Sequence, residues 1–237
     1  MIDDLRIHAG REPGPRPAGE LVLYWMQTTH RAHDNFALDF AVEQANALGL
    51  PLLVYHGLRP DYPWASDRLH SFILESVADL YRRFEERGIP YAFYLDPTGG
   101  PRPEPSPLVE LARRAALVVT DFYPTFIVPR QTRALRDKVE APVIAVDSCT
   151  VVPMRYHRRE HATARSIRPV LHEALDYYLR RLDSPAPRVR RPIDLPFDPV
   201  VPSADVIPAL VARCPIDHGV SPALEIRGGT AAGRARL

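Results

Sequence analysis

The sequence predicts an α/β fold: a five-stranded parallel, Rossmann-like sheet with helices on both faces, followed by an irregular Pro-rich C-terminal extension. Three observations carry that reading. Short apolar runs alternate with stretches of helical period, which implies right-handed crossovers between parallel strands. The runs are apolar throughout instead of alternating with polar residues, as strands covered on both faces are. The alternation stops at Ser148, and prolines gather after Ser184.

Residues 21–26, LVLYWM, open the sheet and run straight into a helix ending near Leu48, on which Phe36, Phe40 and Ala47 recur at helical spacing while Asp39, Glu43 and Gln44 turn outward. Gly49 and Pro51 end that pattern, and 52–56 form the second strand. A helix over 67–87 follows, with Leu69, Phe72, Ile73, Val77, Leu80 and Phe84 inward and Gly88 as its stop. Residues 90–95 are the third strand. A proline-rich loop leads to a short helix at 108–115, a strand at 116–120, a turn at 121–129, a helix at 130–139 and the last strand at 143–146. An arginine- and histidine-rich segment, VVPMRYHRREHATARSIRP, precedes a helix at 170–182. Three parts result: an irregular leader at 1–19, the α/β domain at 20–183, and a connector with a short ending at 184–237. Pro185, Pro187, Pro192, Pro196, Pro199 and Pro202 make the connector extended.

With 237 residues, 46% hydrophobic and 25% charged, the chain can bury a substantial core. A formal net charge of +1 gives no global argument for nucleic acid or a membrane. Lys138 is the single lysine among 30 basic residues, a bias that lowers the weight of any arginine cluster. Cys149 and Cys214 have neither metal-ligand spacing nor the density of a disulfide scaffold, and no stretch has the length of an apolar membrane span, so a cytoplasmic protein is expected.

The first strand's carboxyl end is where open α/β sheets place ligands, which directs attention to the turn 27–35. No G-x-G-x-x-G follows that strand and no Walker A sequence occurs, so the usual phosphate cradles are missing. His30 with His33, and His157 with His161, lack the acidic partner of an H-E-x-x-H arrangement, and no metal site is expected. Ser148-Cys149 lacks the glycines of a nucleophile elbow. Arg155, Arg158, Arg159, Arg165 and Arg168 either neutralise phosphates or bridge to acidic helices. Trp25 is either core or the flank of a flat ring.

Several stretches in order resemble the amino-terminal α/β domain of class II cyclobutane pyrimidine dimer photolyases, of the photolyase/cryptochrome family. They are VLYWMQTTHRAHDNFALDFA at 22–41, NALGLPLLVYHGL at 46–58, YPWASDRLHSFILESV at 62–77, RGIPYAFYL at 87–95, VVTDFYPTFIVPRQTR at 118–133, and VVPM with ARSIRP at 151–154 and 164–169. Val170 stands where that family has lysine. The resemblance implies a light-driven DNA repair flavoprotein in which reduced FAD donates an electron to a flipped-out pyrimidine dimer, with an α/β domain able to hold a deazaflavin-type antenna. It makes Trp25, Met26, Asp34, Asn35 and Asp121 the candidate antenna pocket, and Arg155, Arg165 and Arg168 candidate nucleic-acid or interdomain contacts. The family's FAD pocket lies in a helical domain beyond the connector, whose entry GGTAAGRARL resembles. This chain is therefore expected to hold no catalytic residue, to depend on a separately encoded helical FAD domain, and to meet damaged DNA only through it. The alternative is a stand-alone Rossmann-like module that binds a nucleotide or flavin without catalysis.

Overall fold

The computed structural model describes residues 2–8, 14–100, 103–157, 159–180, 182 and 184–237. Its six-stranded sheet has the order β1-β6-β5-β2-β3-β4, where β1 is Ile7–His8, β2 Leu21–Met26, β3 Leu52–Leu58, β4 Tyr91–Leu95, β5 Ala115–Asp121 and β6 Val143–Val146. The five expected strands are parallel, and β1 joins β6 as an antiparallel edge. That sixth strand corrects the expectation of a five-stranded sheet. Its cause is Arg6, which is 1% exposed, lies 3.5 Å from the centre of the Phe36 ring and donates to the carbonyls of Asp147 (3.1 Å), Thr150 (2.9 Å) and Val151. With that guanidinium fixed, Ile7 and His8 meet Val146 and Ala145. The leader's residues 9–13 lie outside the described ones.

Strand alternation divides the core. Val22, Tyr24 and Met26 face α1 (Phe36–Leu48) and the end of α2 (Asp67–Glu86), whereas Leu21, Leu23 and Trp25 face α3 (Pro107–Arg114) and Leu135 of α4 (Val128–Arg136). Helix α1 starts where the Asn35 side chain caps the Leu38 amide and stops at Gly49, whose φ of 65° suits a residue without a β-carbon. Pro129 sits in the first turn of α4, where its missing N–H costs nothing, so that helix begins at Val128 and not at Arg130.

The connector has no helix or strand, but it is no free tether. Ile193, Leu195 and Phe197 pack on the Trp25 side of the sheet, and Phe197 meets the rings of Tyr55 and Tyr94 edge-on at 5.7 and 5.2 Å. It thereby covers Tyr55 of β3 and Tyr94 of β4 on that face. Beyond it, α6 (Ile207–Ala212) packs through Ile207 and Val211 beside Leu74 and Val77 of α2, and α7 (Thr230–Arg236) is capped by Asp79 of α2.

The helix expected at 170–182 is α5, Ala164–Tyr178. Thr163 caps it, so ARSIRP forms its first two turns with Pro169 inside, and its end comes at Leu179. No described helix is long and apolar enough to cross a membrane.

Candidate functional site

Strand order reverses between β2 and β5, so the crevice beyond their carboxyl ends is the switch point of the sheet. Asp121, the last residue of β5 and fully buried, organises it. One carboxylate oxygen accepts the backbone N–H groups of Gln27 (2.9 Å), Thr28 (2.8 Å) and Thr29 (3.0 Å), and the other accepts the Tyr24 hydroxyl (2.8 Å). Successive N–H groups converging after the first strand are the arrangement that binds phosphate in dinucleotide folds. Here the protein's own carboxylate fills it. Burial, and after it Asp121, raise the Tyr24 hydroxyl well above its ordinary pKa, so Tyr24 stays a donor.

Asn35, also fully buried, closes the turn from its other end, donating to Tyr24 Oη (3.1 Å), Thr29 O (3.3 Å) and Arg31 O (3.0 Å). Gln27 donates to the Thr120 and Thr132 hydroxyls at 2.8 and 3.1 Å. His30 and His56 lie behind the turn with ring centres 4.3 Å apart, and burial lowers the pKa of both, so they stand neutral. His56 Nδ1 shares a 2.8 Å hydrogen bond with the Tyr91 hydroxyl.

Of the sequence-chosen pocket residues, the structure brings Asn35 and Asp121 together through Tyr24 and sets Trp25 and Met26 in opposite halves of the core. Asp34 is exposed with φ 51°. Asn35 and Asp121 thus tie the turn together, while Trp25 and Met26 are core residues. Sequence reasoning missed the two side chains that stand open above it. Trp64, in the loop after β3, and Phe126, in the loop after β5, stack with ring centres 5.6 Å apart and planes 13° apart, although 78% and 52% exposed. Both have left-handed backbones, with φ 65° and 61°. Aromatic residues rarely adopt that conformation, and no sequence pattern signals it.

Arg155 donates to Ile7 O (2.8 Å), while Arg165 and Arg168 stand exposed on α5. Arg158 lies outside the described residues. The rings of His157 and His161 are 6.0 Å apart, and no group of three or more His, Cys, Asp or Glu gathers among the described residues as a metal would require. Partial burial, then Asp147 and Asp121, push the Cys149 thiol up to about 11, away from nucleophilic use.

The family model for DNA photolyase matches residues 22–189. The chain belongs to the DNA photolyase family. It is 33% identical over 171 residues to the deoxyribodipyrimidine photo-lyase of Methanothermobacter thermautotrophicus, covering 72% of this chain and 37% of that protein. To the rice enzyme of the same name it is 32% identical over 221 residues, covering 87% and 40%. The chain thus spans about two-fifths or less of these curated relatives' lengths. Among solved structures, an archaeal photolyase from Sulfolobus tokodaii, described with two FAD molecules, matches with a TM-score of 0.54 at 14% identity over 90% of this chain and 45% of that one, a likeness of fold. The turn after β2 offers no Rossmann-type cradle for a pyrophosphate, because Asp121 occupies the amides that one would need.

Proposed function

We propose that this chain supplies the α/β part of a light-driven repair flavoprotein acting on pyrimidine dimers, and that its own task is to hold a flat light-absorbing ring, of deazaflavin type, at the carboxyl edge of its sheet. The electron for the dimer comes from reduced FAD in a helical portion that these residues do not include. The observation that carries this reading is the Trp64–Phe126 pair. Two large rings stacked in solvent, each on a backbone that costs on the order of 1 kcal/mol or more to hold, are the mark of a clamp. Strands β3 and β5 flank β2, so their loops meet over its carboxyl end. A planar ligand entering between the rings needs them roughly 7 Å apart, a parting of about 1.5 Å. The crevice below disfavours the phosphates of a dinucleotide: Asp121 repels them, and His30 and His56 are neutral.

Titration with an 8-hydroxy-5-deazaflavin and with FAD tests this. Expected are quenching of Trp64 fluorescence and an induced visible band with the deazaflavin, both abolished in Trp64→Ala and Phe126→Ala, and weak or no binding of FAD. Deazaflavin binding indifferent to both substitutions would sink the clamp. Dimer repair by the purified chain with FAD alone would sink the division of labour.

A further inference from the structure

Trp64 keeps its left-handed backbone through contacts that come from far along the chain. The Ala65 amide donates to Tyr62 O at 3.3 Å, which closes a four-residue turn with Pro63 and Trp64 at its centre. Proline suits the first central position of such a turn, and a positive φ at the second is the glycine position of a type II turn. Trp64 stands there with φ 65°. A conformation of that kind persists where the surroundings over-determine it.

The surroundings do so from two sides. In front, Tyr62 lies flat against His70 of α2, with ring planes 5° apart, and its hydroxyl shares a 3.2 Å hydrogen bond with His70 Nδ1. Behind, helix α2 begins at Asp67, yet the Ser66 side chain makes no capping hydrogen bond. The first N–H groups of a helix have no partner within it. The segment after α6 supplies one for each of the first two: Asp217 O accepts the Asp67 amide at 3.2 Å, and Val220 O accepts the Arg68 amide at 3.1 Å. The Asp217 amide in turn donates to Ala65 O at 3.0 Å, so Ser66 and Asp217 pair like residues of neighbouring parallel strands. Side chains fasten the same join. His218 Nδ1 lies 2.6 Å from Asp67 Oδ1, and Arg68 Nε donates to Ser221 O at 3.0 Å. The segment is itself held on α2 beyond both ends, by Val211 and Cys214 in the core beside Leu74 and by the Arg227–Glu75 pair at 2.6 Å.

We propose that residues 217–221 are the positioning element of the ring site: they hold the Tyr62–Ala65 turn so that Trp64 stands against Phe126, and the clamp opens when they detach. The inference rests on the clamp reading above. It makes ring binding conditional on His218 and its neighbours, 151 positions along the chain from Asp67, so a change that draws this segment off α2 releases the ligand.

Three variants of the full chain test this. Asp217→Pro removes the N–H that Ala65 O accepts, whereas Asp217→Asn keeps it, together with an acceptor for the Gly219 amide. His218→Ala removes only the fastener to Asp67, and His218 is exposed, so folding stays intact. The Phe126 ring protons are followed by NMR, and 8-hydroxy-5-deazaflavin is then titrated. In Asp217→Pro, Phe126 is expected to lose the shift that a stacked Trp64 imposes, and deazaflavin to bind about tenfold more weakly, as when about a tenth of the molecules keep the clamp closed. His218→Ala should weaken binding several-fold, and Asp217→Asn should match the parent. At saturating deazaflavin the induced visible band should be the same in all, since the ring contacts are unaltered. Circular dichroism checks folding, and if Asp217→Pro unfolds, His218→Ala decides. Phe126 shifts and affinities unchanged in the folded variants overturn the proposal, and so does an Asp217→Asn variant as impaired as Asp217→Pro. If the parent binds no deazaflavin, the clamp's ligand is wrong, and the Phe126 shift alone upholds or overturns the positioning.

Discussion

The turn after β2 and the helix α5, with the residues that adjoin them, carry the two sets of candidate residues, and they are finished in opposite ways. In the turn, the N–H groups of residues 27–29 end on Asp121, and Asn35 bridges the far side. On α5, an apolar stripe and exposed arginines meet no other part of the described chain that covers them. A turn whose backbone N–H groups end on the protein's own carboxylate is a scaffold at those atoms, although the buried Gln27 Oε1 and His30 Nε2 have no hydrogen-bond partner among the described residues. A region left open, with apolar side chains that no described element covers, lacks that internal closure.

The largest effect should come from removing the turn's anchor. Asp121→Ala leaves three backbone N–H groups and the buried Tyr24 hydroxyl without their acceptor. Thr29 and Tyr24 are buried whereas Gln27 is half-buried and Thr28 exposed, so at about 1–3 kcal/mol for each buried group left unsatisfied a loss of roughly 3–5 kcal/mol is expected in chemical denaturation. A loss under about 1 kcal/mol would mean that the turn is not a scaffold and would reopen it as a phosphate site.

The connector extends the comparison to a segment that looks open and is closed. Phe197→Ala should cost about 2–3 kcal/mol, somewhat below the range for fully buried aromatics because Phe197 is half-buried. Hydrogen exchange at the Val200 amide, which donates to Phe93 O at 2.9 Å, should accelerate with it. An unchanged melting temperature would restore the picture of a free tether.

Much of this was legible in the sequence, and the reasons differ by element. The five parallel strands and α1 to α4 follow from apolar runs and periodicity, because buried strands and amphipathic helices write their environment into their composition. The edge strand β1 was not legible, since two residues carry no pattern and their placement depends on Arg6 reaching Asp147, 141 positions away. The start of α5 was hidden because Pro169 reads as a breaker, yet an exposed helix near its beginning tolerates it. At the candidate site, the position of the crevice was legible as the carboxyl end of the first strand, whereas Trp64 and Phe126 were not: what distinguishes them is backbone conformation and mutual stacking, which no local pattern records.

Asp39 sharpens the contrast within α1, because it is as buried as Asp121 but unsatisfied. Neither oxygen has a hydrogen bond, and Arg87 stands 3.7 Å away while donating to the carbonyls of Ala32 and Pro185. Burial raises its pKa to about 7, with Glu43 and Asp34 adding to the rise and Arg87 opposing it. The folded state therefore holds this proton more tightly than the unfolded chain, whose value is near 3.8. Its contribution to stability is fully present below about pH 4 and is lost as pH rises through about 7. In Asp39→Asn the stability difference from the parent should change across that window and level off above it. A difference independent of pH between 4 and 8 would show that Asp39 ionises as an ordinary carboxylate.

The smallest effect belongs to the open side. Arg155 is exposed and donates to Ile7 O, so Arg155→Ala should change stability by no more than about 0.5 kcal/mol, since surface substitutions rarely do more. That near-silence is informative because Arg6, which reaches the same flank from inside, is buried and holds three carbonyls. If Arg155→Ala instead cost as much as Asp121→Ala, the rim of the α5 flank would be part of the scaffold, and the distinction between a finished turn and an open groove would fail where the two regions come closest in chemistry: arginines bound to backbone carbonyls.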